Sequence, residues 1–243
     1  MKKPVLIAVA VVVVLAVGGL IAYKVFLEDD APAELGLTES TGSTSTTSGD
    51  GNGTPASIDG TWTVRSEEPT QAGMRIKESF LSGLADHTAV GRTSEVEGSL
   101  TIEGTSVTEG SFTVNLASLE FTDTPAGLDV ASRSNAMKDA GLETDTFPDA
   151  TFALTGPVEL AELPGSGEVI TQEVTGDLTL HGVTKSVTFS VDAQLVDGEI
   201  EIATTDPVEV VLTDYDIEAP VQGPVAEVAD SGSFEFVVRL AKG

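Results

Sequence analysis

Two histidines and no cysteine limit the chemistry that this 243-residue chain can perform. His87 and His181 lie far apart in the sequence, and neither has a second His, Asp or Glu at metal-ligand spacing. Without cysteine there are no thiolate ligands, disulfides or thiol nucleophile. Asp123, Asp129, Asp139, Asp145 and Asp149 crowd one region, but without the Gly at position six and Glu at position twelve of a calcium loop they read as a solvated loop. Asp230-Ser231-Gly232 matches the short aspartic-protease string. That chemistry needs two carboxylates sharing one site, only one copy occurs, and the triplet reads as a turn before the last strand. His181, in the turn Leu180-His181-Gly182, reads as a solvent-facing or capping side chain. No nucleophile elbow, zincin helix, phosphate loop or dinucleotide glycine signature is present. The sequence thus names no catalytic residue and no metal site, and the chain reads as a non-enzyme.

Charge narrows the partners. With 39 Asp and Glu against 12 Lys and Arg, the formal net charge of -27 repels a phosphate backbone, so nucleic acid is excluded as a default partner. Arg133 and Lys138 are two bases in this negative field and are the head-group candidates for an anionic or polar ligand, with pairing to adjacent acids as the alternative. Hydrophobic residues make up 40% of the chain, enough to exclude a wholly disordered acidic protein.

The elements that must carry these residues are strands. Phe112 and Val114 alternate with polar neighbours, as do Phe189 and Val191, and Phe234 and Phe236, which is the period of a strand with one face inward. Further strands are expected at 61–64, 73–80, 96–102, 151–160, 169–180 and 207–212, and residues 174–180 and 184–195 read as a hairpin around Gly182. Alternation fails between Pro125 and Phe147, where residues 132–140 read as a short helix closed by Gly141. Eight or nine strands in one domain predict a closed antiparallel barrel or a sandwich. The inward phase selects Met74, Ile76, Phe112, Val114, Phe152, Leu154, Phe189, Val191, Phe234 and Phe236 as ligand-wall candidates, with Trp62 near one end. The same pattern is equally that of a solid core.

The N-terminal part reads differently. Lys2 and Lys3 precede residues 4–23, an uncharged stretch long enough for one transmembrane helix, and the positive-inside rule puts its start in the cytoplasm and the remainder outside. A cleaved secretory signal, leaving a secreted domain, is the alternative. Residues 38–57 are dominated by Ser, Thr and Gly and read as a tether. Three parts are expected: residues 1–30 as membrane anchor and flanks, 31–57 as flexible linker and 58–243 as the barrel domain. The expected localisation is the cell membrane, single-pass, with the domain extracytoplasmic.

The strongest signal is a resemblance. Residues 174–185 (VTGDLTLHGVTK), followed by 187–191 (VTFSV), closely resemble the signature hairpin of the YceI-like family, secreted or periplasmic proteins associated with polyisoprenoid binding. Residues 60–64 (GTWTV), 142–152 (LETDTFPDATF) and 212–217 (LTDYDI) resemble further family segments in family order. The resemblance implies an all-β fold, an extended antiparallel lipocalin-like barrel with a short helical insertion, here preceded by one transmembrane helix. It also implies binding, storage or transport of an isoprenoid lipid such as a quinone or prenyl carrier, and it allows a homodimer. The alternative is a ligand-free barrel serving as a structural or stress-response interaction module. The chain departs from the family at residues 65–69 (RSEEP), 73–78 (GMRIKE) and 132–138 (SRSNAMK), where the family's histidines are missing.

Overall fold

In the computed structural model, residues 31–38, 57–81, 86–123, 129–161, 163, 168–221, 223 and 225–243 are described. Thirteen strands form one antiparallel sheet. They are β1 (Gly60–Arg65), β2 (Gln71–Phe80), β3 (His87–Thr93), β4 (Val96–Glu103), β5 (Ser106–Asn115), β6 (Glu120–Phe121), β7 (Asp149–Leu154), β8 (Val158–Glu159), β9 (Ile170–Leu180), β10 (Val183–Val196), β11 (Glu199–Thr204), β12 (Val208–Val211) and β13 (Val225–Lys242). One α-helix, α1 (Val130–Ala136), runs into a π-helical turn, Met137–Gly141.

Neighbouring strands in the order β1-β4-β5-β7-β9-β10-β11-β13 are hydrogen-bonded, and β13 pairs back onto β1, so the ring is closed. Closure removes the free edges that an open sheet would expose. The long strand β13 makes this possible by changing partners along its length. Its C-terminal part, through Lys242, pairs β1 and β11, while its N-terminal part pairs β2 and β12. Beyond the ring, β2, β3 and β6 continue the sheet from β13 at the opposite end. Two hairpins have two-residue loops, His181-Gly182 and Asp197-Gly198, in which both residues have positive φ. That geometry matches the right-handed twist of the flanking strands and favours Asp-Gly pairs.

Ile58, Trp62, Val96, Leu100, Ile102, Val238 and Leu240 pack into one cluster, of which all but Trp62 and Leu240 also border the cavity within the ring. In a second cluster α1 and its π turn lie over Ile76, Ala89, Leu119 and Phe121, with Met137 pointing down among them. The helix begins at an Asp129 cap, whose Oδ2 accepts the Ser132 N–H at 2.9 Å. The triplet 230–232 is a bulge inside β13, at a register shift between Val228 and Gly232, rather than the expected turn before a strand.

The transmembrane part of the expected architecture is corrected. Residues 4–23 lie outside the described residues, and among the described residues no helix is long and apolar enough to cross a membrane. The only α-helix among them has 7 residues, where a span needs about 20. Among the described residues the fold is an antiparallel barrel with a helical insertion and no membrane-spanning helix. The membrane as a partner, and the single-pass cell-membrane localisation built on that helix, are withdrawn with it.

Candidate functional site

The inner face of the barrel surrounds a cavity of about 280 Å³. Ten of the eleven expected wall residues border it: Met74 and Ile76 from β2, Phe112 and Val114 from β5, Phe152 and Leu154 from β7, Phe189 and Val191 from β10, and Phe234 and Phe236 from β13. The eleventh, Trp62, does not. It is 3% exposed, packs in the cluster with Ile58 and Leu240 and donates its indole N–H to the Ile58 carbonyl at 2.8 Å. A strand-pattern reading could not separate this packed residue from the wall, because both are inward positions.

Phe189 is the hub of the aromatic wall. Its ring centroid lies 5.3 Å from Phe152, 5.4 Å from Phe234 and 6.3 Å from Phe236, the last two edge-on. Such tilted and T-shaped pairs are the favoured aromatic arrangements and fix ring orientation. Gly176 on β9 completes the packing, since a Cβ there would fall 2.3 Å from Phe152 Cζ. Any side chain at 176 would push that ring off its place. Pattern analysis also passes over Leu142, Leu212 and Ile217, which enter the cavity from connections rather than strands.

A second cavity of about 210 Å³ lies beneath α1. Met74, Ile76, Leu142, Leu212 and Ile217 border both cavities and form the partition between them. The second cavity is apolar on the barrel side, but Glu78, Asp129, Ser132 and Arg133 bring polar groups to it. The two volumes together fall within the ordinary range for ligand pockets, roughly 300–1,000 Å³.

The polar end has a definite wiring. The Arg133 guanidinium donates to Glu78 Oε2 at 2.9 Å and to Asp123 Oδ2 at 2.8 Å, and its Cζ lies 4.3 Å from the Phe121 ring centroid. His87 Nε2 is 2.6 Å from the same Asp123 oxygen, and Asp123 Oδ1 accepts the Val90 N–H at 2.7 Å. Burial pushes the Glu78 carboxyl above its ordinary value, against the opposing pull of Arg133. Burial also pushes on Asp123, but hydrogen bonds from His87, Val90 and Arg133 outweigh it and hold that carboxyl below its usual range. The number of donors decides the sign in each case. Arg133 thus borders the second cavity, with its charge already matched by two carboxylates. Lys138, the other head-group candidate, borders neither cavity.

His181 is not solvent-facing. Its side chain is 9% exposed, its Nδ1 lies 3.1 Å from the Tyr215 carbonyl and its ring centroid is 4.4 Å from that of Phe147, the two rings tilted at 58°. Among the described residues, no group of three or more His, Asp or Glu side chains is placed to hold a metal ion.

The pattern of the YceI-like domain matches residues 39–240. The chain belongs to the YceI-like family. Among solved structures, the fold is similar to a polyisoprenoid-binding domain from Saccharophagus degradans implicated in plant cell wall breakdown, with 18% identity, 72% of this chain and 98% of that chain covered, and a TM-score of 0.54. It is also similar to BcnA from Burkholderia cenocepacia, with 16% identity, the same coverage of each chain and a TM-score of 0.50. No curated protein matches the chain.

Proposed function

We propose that this YceI-like barrel binds an isoprenoid lipid, as carrier or reservoir, with the tail in the larger cavity and an uncharged polar head, such as a quinone, beneath α1. The observation that carries the reading is the cavity bordered by Phe112, Phe152, Phe189, Phe234 and Phe236, which shares the wall residues Met74 and Ile76 with an adjacent chamber that has polar groups. A polyisoprenoid-binding domain on the same fold supports it. Each methylene taken from water into such a wall gains about 0.8 kcal/mol, so tail burial supplies affinity without a specific contact.

The preference for an uncharged head follows from Arg133. A phosphate-bearing lipid needs donors with unbalanced positive charge, whereas this guanidinium is held by Glu78 and Asp123, with Asp129 close by on the same cavity. An added dianion would meet three carboxylates for one cation. A quinone carbonyl asks only for a hydrogen-bond donor, which Ser132 or Arg133 can offer without new charge. The test is calorimetric titration of delipidated protein with a prenylated quinone and with the polyprenyl diphosphate of equal chain length. The quinone is expected to bind at least about tenfold more tightly. Equal or reversed affinities would reject the head-group assignment, and no binding of either lipid would reject the carrier reading.

A further inference from the structure

Charged side chains that point away from a barrel lumen normally stand in water. Three polar side chains on the outer face of this one do not: Glu201 on β11 has 0% exposure, Glu235 on β13 1% and Gln194 on β10 2%. Gln194 follows the cavity-lining Ala193 and Glu201 lies between the lining Ile200 and Ile202 without bordering the cavity themselves, while Glu235, between Phe234 and Phe236, borders the cavity and turns its carboxylate to Arg75, Arg92 and the Leu35 N–H. Part of their cover is a short stretch of the chain itself, residues 31–38.

The contacts are of one kind. Arg75 Nη1 donates to the Pro32 carbonyl and Arg92 Nη2 to the Ala33 carbonyl, each at 2.9 Å. The Leu35 N–H donates to Glu235 Oε2 at 3.1 Å and the Thr38 N–H to Glu201 Oε1 at 2.5 Å. Gln194 Nε2 donates to the Thr38 carbonyl at 3.0 Å, and the Thr38 hydroxyl reaches the Glu201 carboxylate at 2.9 Å. The barrel side of the groove is held together by its own pairs, Arg92 and Arg75 on Glu235 and Arg239 on Glu201. Five of the eight hydrogen bonds between groove and segment therefore read backbone N–H and C=O groups, and the other three meet the Thr38 hydroxyl. Burial works against the charge on Glu201, and hydrogen bonds from Thr38 and Arg239 more than offset it, holding its carboxyl below the usual range.

We infer that the outer face of β2, β3, β10, β11 and β13 is a binding groove for an extended peptide, read through backbone groups and occupied in cis by residues 31–38. The contacts to the segment are made outside the cavity, by the same strands that line it, and only Arg75 and Glu235 border both. Its specificity is limited to the Thr38 hydroxyl and to the half-buried Leu35 and Leu37. A second extended peptide would compete for it only when the cis segment is released.

The test keeps the full chain and changes the segment rather than the barrel. Leu35→Pro with Thr38→Pro removes both backbone donors and the hydroxyl. In the unaltered protein the amides of Leu35 and Thr38 should exchange at least about tenfold more slowly than unstructured amides, and a fluorescent peptide APAELGLT added in trans should not bind. The double-proline variant should bind that peptide, with barrel exchange unchanged. Rapid exchange in the unaltered protein would overturn the inference, and that measurement stands even if the variant fails to fold. A folded variant that ignores the peptide would overturn it too, as would equal peptide binding by both proteins. A dimer of the unaltered protein that the variant loses would assign the segment to a second copy and overturn occupancy in cis.

Discussion

At the scale of single residues, Glu78 and Asp123 show how one guanidinium serves two carboxyls differently. Asp123 gathers three donors and Glu78 one, so burial wins at Glu78 and loses at Asp123. The linkage signs are opposite. Glu78 holds its proton more tightly folded than unfolded, so its contribution is fully present below its ordinary 4.5 and is lost as pH rises from there through the raised folded value. Asp123 contributes above its ordinary 3.8 and loses that contribution as pH falls through the lowered folded value. Glu78→Gln replaces the titrating group by a neutral one of similar shape. Its stability relative to the unaltered protein should therefore rise with pH from about 4 to 7, read by urea unfolding at each pH. A flat difference would mean that Glu78 ionises in the fold as it does in water. The opposite slope is expected for Asp123→Asn, which should cost most above pH 4 and least in acid.

At the scale of elements, α1 is short enough that its cap matters. A helix of 7 residues has little propensity to spare, and Asp129 satisfies one of its first free N–H groups. Asp129→Ala should cost about 1 kcal/mol and raise amide exchange across residues 130–141 more than in the ring strands. Uniform exchange in both regions would mean that the insertion does not open separately. This insertion was legible in the sequence as the one break in alternation, and the β9–β10 hairpin was legible down to its turn. Three strands were not. In β3 both faces are packed, with Ala89 and Val90 at 0% exposure and Leu119 against Gly91, so no polar face remains to give a period. The two-residue β6 is too short to show one. In β11 the alternation of Ile200 and Ile202 with Glu199 and Glu201 is present, but two glutamates read as a solvated stretch. The burial of Glu201 depends on Thr38 and Gln194, and the Thr38 contact spans 163 positions of sequence. No local pattern can show it. Likewise, the inward phase finds the cavity wall but not the partition, because Leu142, Leu212 and Ile217 enter from connections whose path is set only by the closed ring.

At the scale of the whole molecule, the closed ring holds inward residues that line the cavity and a few, Trp62 and Leu240 among them, that are packed away from it, and the two should respond to substitution in different ways. Trp62 has its N–H satisfied by Ile58. Trp62→Phe leaves that carbonyl without its donor and removes volume from a filled cluster, so ligand-free stability should fall by about 1–3 kcal/mol. Phe189 sits at the centre of the cavity wall, where Phe189→Leu keeps an apolar surface and changes its shape, so ligand-free stability should change by less than about 1.5 kcal/mol. Added lipid reverses the ranking. A ligand that binds only the folded state at a hundred times its Kd adds about 2.7 kcal/mol, which at this chain length raises Tm by roughly 5–10 °C. Trp62→Phe should start lower but show that full rise with a prenylated quinone, and Phe189→Leu should start near the unaltered protein but show a clearly smaller one. A chelator should leave the rise intact in all three proteins, since among the described residues no group of three or more His, Asp or Glu side chains is placed to hold a metal ion. If both variants lose stability and neither the variants nor the unaltered protein responds to lipid, the inward face is a solid core in solution and the binding function fails with it.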